Sequence, residues 1–174
     1  MAVVPELVNS APMDLKEYLI PQAGKDWRTL LSGWLQVLPP SFTLWMVNRF
    51  GDLFVVLDDE TVHMLDVGVG SFKRLADSRS HFASLIGAGD NANHWLMIPL
   101  VDACVAGGLT LGPNQCYGYD IPPVLGGRYH LDNVSVTDIA VHYSFLADIY
   151  RQTRHLPEGT PVTGVVFDRG KRSK

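Results

Sequence analysis

The sequence predicts an α+β fold, a central antiparallel β-meander packed with several α-helices. Three observations point there. Aromatic and β-branched runs crowd between residues 42 and 75, joined by connections too short for a parallel crossover. Helical apolar spacing flanks that block, over 25–38 and again from residue 79 onward. No internal repeat, heptad or low-complexity block suggests a different architecture. With 174 residues, 47% of them apolar and 18% charged, the chain is long enough to bury a full core without disulfides or metals.

The elements follow in order. Asp14 is placed to cap a short turn within Met13–Tyr18, which Pro21 and Gly24 end. Asp26 precedes Trp27, Leu30, Leu31, Trp34, Leu35 and Leu38, a spacing that predicts one amphipathic helix over 25–38, stopped by Pro39-Pro40. Trp27 and Trp34 fall on one face and read as core. Strands are expected over Phe42–Val47, Phe50–Leu57 and Thr61–Val67, with a short addition at Ser71–Leu75. In the third, Val62, Met64 and Asp66 alternate against His63, Leu65 and Val67. Ser78 caps a helix over Arg79–Ile86, and another runs over 93–106, with Pro99 either in its first turn or at a kink.

Then comes Gly112–Gly127, GPNQCYGYDIPPVLGG, whose glycines and prolines exclude a helix interior. It reads as a buried, conformationally fixed connector. A strand is expected over 133–137, and Asp138 opens a helix over 139–154. Pro157-Glu158-Gly159 makes a turn, and Val162–Phe167 forms a terminal strand. The domain reading is an N-terminal helix plus meander in 1–90, a helical domain with short strands packed against it in 91–168, and a basic tail in 169–174.

Charge and motifs remove several function classes. A net charge of −4 weighs against direct nucleic-acid binding. Cys104 and Cys116 make neither a disulfide framework nor a zinc quartet, and with no basic neighbour they read as packed thiols. The N-terminus lacks the features of a signal peptide and no apolar run is long enough for a membrane span, so a cytoplasmic location is expected. There is no phosphate-binding glycine loop and no G-x-S-x-G elbow. His63, His81, His94, His130, His142 and His155 are scattered without metal-ligand spacing, and His142 reads as a core histidine beside Leu146. The expectation is therefore no catalytic residue, no cofactor and no metal. Asp58, Asp59 and Glu60, with Asp66 on the following strand, form an acidic candidate for partner contact. The bland alternative is a solvated hairpin turn.

Several motifs resemble a known family. Phe50-Gly51-Asp52-Leu53-Phe54 is similar to an F-G-[DE]-L-F strand. Leu109–Tyr119, Pro122-Pro123-Val124-Leu125-Gly126-Gly127, Asp132-Asn133-Val134 and Leu156-Pro157-Glu158-Gly159-Thr160 follow in matching order. Together they resemble bacterial type VI secretion immunity proteins that combine a GAD-like N-terminal region with a C-terminal immunity domain. One departure is visible. Family members carry G-Q-I-H-R-Q in the last helix, where this chain has Ala147-Asp148-Ile149-Tyr150-Arg151-Gln152. The resemblance implies a protein that is not an enzyme and that binds a cognate secreted toxin, a DNase, by occluding or distorting its site. Asp58, Asp59, Glu60 and Asp66 would then be part of the toxin contact. The alternative is an interaction module that neutralises a non-nuclease toxin or serves as a regulatory adaptor.

Overall fold

A computed structural model describes residues 14–166. Asp14 accepts from the Lys16 N–H and opens a 3₁₀ turn at Leu15–Tyr18, as expected; Met13 lies outside the described residues. Asp26 caps the next segment by accepting from the Thr29 N–H. The continuous helix expected over 25–38 does not form. Instead there is one α-turn, α1 (Trp27–Leu30), then a 3₁₀ turn at Ser32–Trp34. The reason is tertiary. The last helix, α5 (Ile139–Thr153), presses against Gly33, where a Cβ would lie 2.8 Å from that of Ala147. The Trp34 indole donates to the Tyr143 carbonyl at 3.1 Å. The periodicity still identifies the inward side, since Leu31, Trp34 and Leu38 are buried, while Leu35 is exposed.

The meander forms as expected. β1 (Thr43–Val47), β2 (Leu53–Val56), β3 (Val62–Asp66) and β4 (Ser71–Ala76) pair antiparallel in chain order. A register shift between Leu44 and Met46 bulges β1 at Trp45. Both faces of the sheet are covered, so every residue of β2 is buried. Leu53, Val55, Leu65 and Val67 pack with Trp34, Tyr143 and Leu146. Phe54, Val56 and Val62 pack with Phe82, Leu96 and Ile98 on the other side. Strand alternation assigns each side chain to one of these layers.

Ser78 caps α2 (Arg79–Ile86) through the His81 N–H, as expected. The helix expected over 93–106 is two, α3 (Asn91–Trp95) and α4 (Ile98–Ala106), and Pro99 lies in the first turn of the second. The Gly/Pro segment is more structured than expected. Gln115–Tyr119 is a strand, β5, paired antiparallel with β6 (Val134–Asp138). Its partner lies beyond the prolines, so local composition does not reveal the ladder. The second half of the segment is not buried, with Ile121 and Val124 exposed. Asp138 caps α5 through the Ala140 and Val141 N–H groups. No strand forms over 162–166, and Phe167 and the basic tail lie outside the described residues. Cys104 and Cys116 are buried free thiols, and burial pushes both pKa values up.

The turn from Asn48 to Asp52 ties these parts together. The buried Asn48 side chain accepts from the Phe50 and Asp52 N–H groups at 3.0 Å each and donates to Asp52 Oδ2 and to the Trp95 carbonyl. The Arg49 carbonyl accepts from the Tyr117 N–H in β5. From α5, His142 Nε2–H donates to the Phe50 carbonyl at 2.9 Å, and the Tyr143 hydroxyl donates to the Gly51 carbonyl at 2.8 Å. Burial lowers the His142 pKa from 6.5 to about 4, so the imidazole is neutral at pH 7.

Two predictions follow from this packing. The unfolded chain takes up the His142 proton near pH 6.5, while the folded chain resists it down to about 4. Stability therefore falls with pH across that window, by up to about 3 kcal/mol from this group. His142→Gln keeps a donor toward Phe50 and removes this contribution, measurable as a flatter dependence of urea midpoints on pH. Separately, a Cβ at Gly127 would meet the Ile121 carbonyl oxygen at 1.6 Å. Gly127→Ala should cost about 3 kcal/mol and lower Tm in a thermal melt.

Candidate functional site

A groove of about 530 Å³ opens where α3, α4 and the end of β3 meet the loop before β6. Its size lies within the range of ligand pockets. Met97, at the corner between α3 and α4, lines it with φ 56° and ψ 33°. This left-handed conformation costs a non-glycine residue roughly 1–3 kcal/mol and is held only where its surroundings enforce it. Here the Met97 carbonyl accepts from the Leu100 and Val101 N–H groups and so starts α4. Pro99, Leu100 and Ala103 continue the apolar wall along that helix, and Asn93 and His94 flank it from α3.

Tyr129, His130 and Leu131 line the groove from the loop before β6. Asn133 positions their loop. Its amide donates to the Ile121 and Arg128 carbonyls, and its side-chain oxygen accepts from the Ile121 N–H, all at 2.9 Å. Tyr129 is 52% exposed and stands edge-on to Tyr119, which stacks on Phe50 in the central turn. Its pKa is pushed up to about 12, first by burial, then by the charges of Asp66 and Asp52.

Those two carboxylates dominate the electrostatics. Asp52 is buried and accepts from Asn48 Nδ2 at 2.8 Å and from the Val67 N–H at 2.9 Å. Burial raises its pKa well above the usual carboxylate range, the Asp66 charge raises it further, and the two donors oppose the shift. Asp66 is half-buried, lines the groove and accepts from the Val69 N–H at 3.2 Å. Burial raises its pKa too, against the pull of the Val69 and Gly68 N–H groups and of Lys73. Among the described residues no ion pair reaches either carboxylate. No group of three metal-ligating side chains occurs among them either.

The acidic candidates divide. Asp58, Asp59 and Glu60 stay together, exposed in the β2–β3 turn. Asp58 accepts from the Ser41 hydroxyl, and Asp59 accepts from the Thr61 hydroxyl and N–H, which lower its pKa in that order. Asp66 is at the far end of β3, ~13 Å of strand away, and belongs to the groove. The groove itself was not visible in the sequence. His94 and His130 come from distant segments, and the one local sign of the Met97 corner was Pro99 inside a helical pattern.

The comparisons bear on this half of the molecule. Residues 76–150 match the family described as T6SS immunity protein Tdi1, C-terminal. Over these residues the chain is similar to the type VI secretion immunity family that the motifs implied, and all groove residues except Asp66 lie within the match. The GAD-like character expected of the N-terminal region lies outside it. Among curated proteins none matches. A solved structure described as the crystal structure of Atu4351 from Agrobacterium tumefaciens is 17% identical, with a TM-score of 0.40 over 69% of this chain and 60% of that one. The chain therefore spans less than two thirds of that protein. No helix among the described residues is long and apolar enough to cross a membrane.

The carboxylate pair makes a stability prediction. In the folded state Asp66 holds its proton to higher pH than in the unfolded chain, so its contribution to stability falls as pH rises through the folded pKa. Asp66→Asn should raise Tm by a few degrees at and above neutral pH. The gain should shrink as the pH is lowered through that titration, as read from melts at several pH values.

Proposed function

We propose that this protein is a cytoplasmic immunity factor that binds and neutralises a cognate toxin delivered by a type VI secretion system, and that the toxin is a DNase. The observation that carries the reading is the family match over residues 76–150. The chain acts by binding, not by catalysis. It occludes or distorts the toxin's active or DNA-binding site through an interface of standard size, ~1,600 Å² or more. A DNase surface is basic because it must hold phosphates. A partner with a net charge of −4 and an exposed acidic turn at Asp58, Asp59 and Glu60 is attracted to such a surface and competes with DNA there. In this reading residues 1–90 form the GAD-like scaffold and 91–168 the immunity domain.

The test uses the product of the neighbouring gene. Co-purification with this chain, and loss of that product's nuclease activity on adding it, are the expected results. An active nuclease that neither binds nor is inhibited defeats the DNase reading. Inhibition of a neighbour without nuclease activity supports the module acting on another toxin class. A charge-reversed variant, Asp58→Lys with Asp59→Lys and Glu60→Lys, should lower the association rate about tenfold at low salt, with the difference fading at high salt. Unchanged rates would remove the acidic turn from the contact.

A further inference from the structure

The groove carries a carboxyl with no ion-pair partner among the described residues. Asp66 lines a largely apolar groove beside the buried Asp52, and no described lysine or arginine forms an ion pair with either. Lys73, on β4, acts on Asp66 only through its field. Burial disfavours the charged form of Asp66, and a cation seated against that carboxyl offsets this and holds it ionised. The same groove is lined by the exposed ring of Tyr129, which feels the Asp66 charge and whose face attracts cations. Met97, Pro99, Leu100 and Ala103 add an aliphatic lining suited to a hydrocarbon stem. Outside the groove, the Val124 N–H donates to the Gly68 carbonyl two residues from Asp66, and both Ile121 and Val124 are exposed. His130 already pairs with Asp132 at 2.8 Å.

We propose that this groove receives an arginine side chain of the toxin, with its guanidinium between the Asp66 carboxylate and the Tyr129 ring and its stem along Met97 and Leu100. The proposal rests on the immunity reading and deepens it. Arginine fits better than lysine because its flat cation pairs with a carboxylate and stacks on a ring at once, and because it sheds water more easily on entering an apolar groove. An anion is repelled by Asp66. A divalent metal finds too few ligands, as no group of three ligating side chains occurs among the described residues. A buried arginine anchored in this way is the kind of contact that dominates protein interfaces.

The experiment separates the pocket from the immunity role. The isolated chain is titrated with n-butylguanidinium, with n-butanol and n-butyrate as neutral and anionic controls, and followed by amide NMR. Saturable shifts at Met97, Leu100 and Tyr129 with the guanidinium, weakened at least fivefold in Asp66→Asn and in Tyr129→Ala, support the pocket. Equal binding of butanol, or an Asp66→Asn response like that of the native chain, overturns it. The same variants, with Ala103→Leu to fill the groove, are then measured against the neighbouring gene product. At least a tenfold loss of affinity is expected. If the native chain binds that product and all three variants bind it equally well, the arginine contact is wrong while the immunity role stands. If the native chain does not bind it, the immunity role fails whatever butylguanidinium shows.

Discussion

From Asn48 to Asp52, each backbone N–H and C=O group has a hydrogen-bond partner, and the partners come from across the molecule. Tyr18 meets Arg49 from the N-terminal turn, Tyr117 from β5, and His142 and Tyr143 from α5, while Trp95 of α3 meets the Asn48 side chain. An irregular turn can sit in the core only if its polar groups are paired, because each orphaned group costs about 1–3 kcal/mol. The segments that supply those partners are therefore constrained to one arrangement around the turn. His142 shows how closed this centre is, since burial keeps its imidazole neutral even though its bond to the Phe50 carbonyl favours the charged form.

The same turn leads directly to the groove. Asp52 ends it, and Asp52 is the carboxylate that shares its surroundings with Asp66. Phe50 carries Tyr119, and Tyr119 carries Tyr129. The central turn thus bears on both a carboxyl and an aromatic ring that line the groove. Around the groove the chain departs from what stability alone would select, with a left-handed Met97 and two carboxylates without a counter-ion. Such departures survive where a site needs them and the rest of the fold can compensate. The acidic turn is of a different kind. Asp58 and Asp59 satisfy local donors at the exposed end of the hairpin, and their charge is available at long range rather than in a shaped site.

Local chemistry was legible in the sequence wherever a cause lies within a few residues of its effect. The caps at Asp14, Asp26, Ser78 and Asp138 all form because each side chain reaches an amide two or three positions on. The four-stranded meander was legible through alternation and short turns, and the core placement of His142 and Trp34 through helical spacing. The acidic turn was legible as a turn, and the likeness to the immunity family through its motifs.

Tertiary structure decided what depends on partners distant in the chain. Gly33 meets Ala147, and the helix expected over 25–38 breaks into short turns. Gln115–Tyr119 becomes a strand because Val134–Asp138 returns beside it, in a segment whose prolines and glycines spoke only against a helix. Asp66 was named as part of an acidic patch, yet the sheet carries it away from Asp58–Glu60 and sets it against Asp52 and Tyr129. Hydrogen-bond reach and side-chain spacing are properties of a short stretch of chain, so the sequence by itself determined the elements and their caps. Burial and field strength depend on every segment that packs around a group, so only the folded chain decided which carboxylate faces a groove and which faces water.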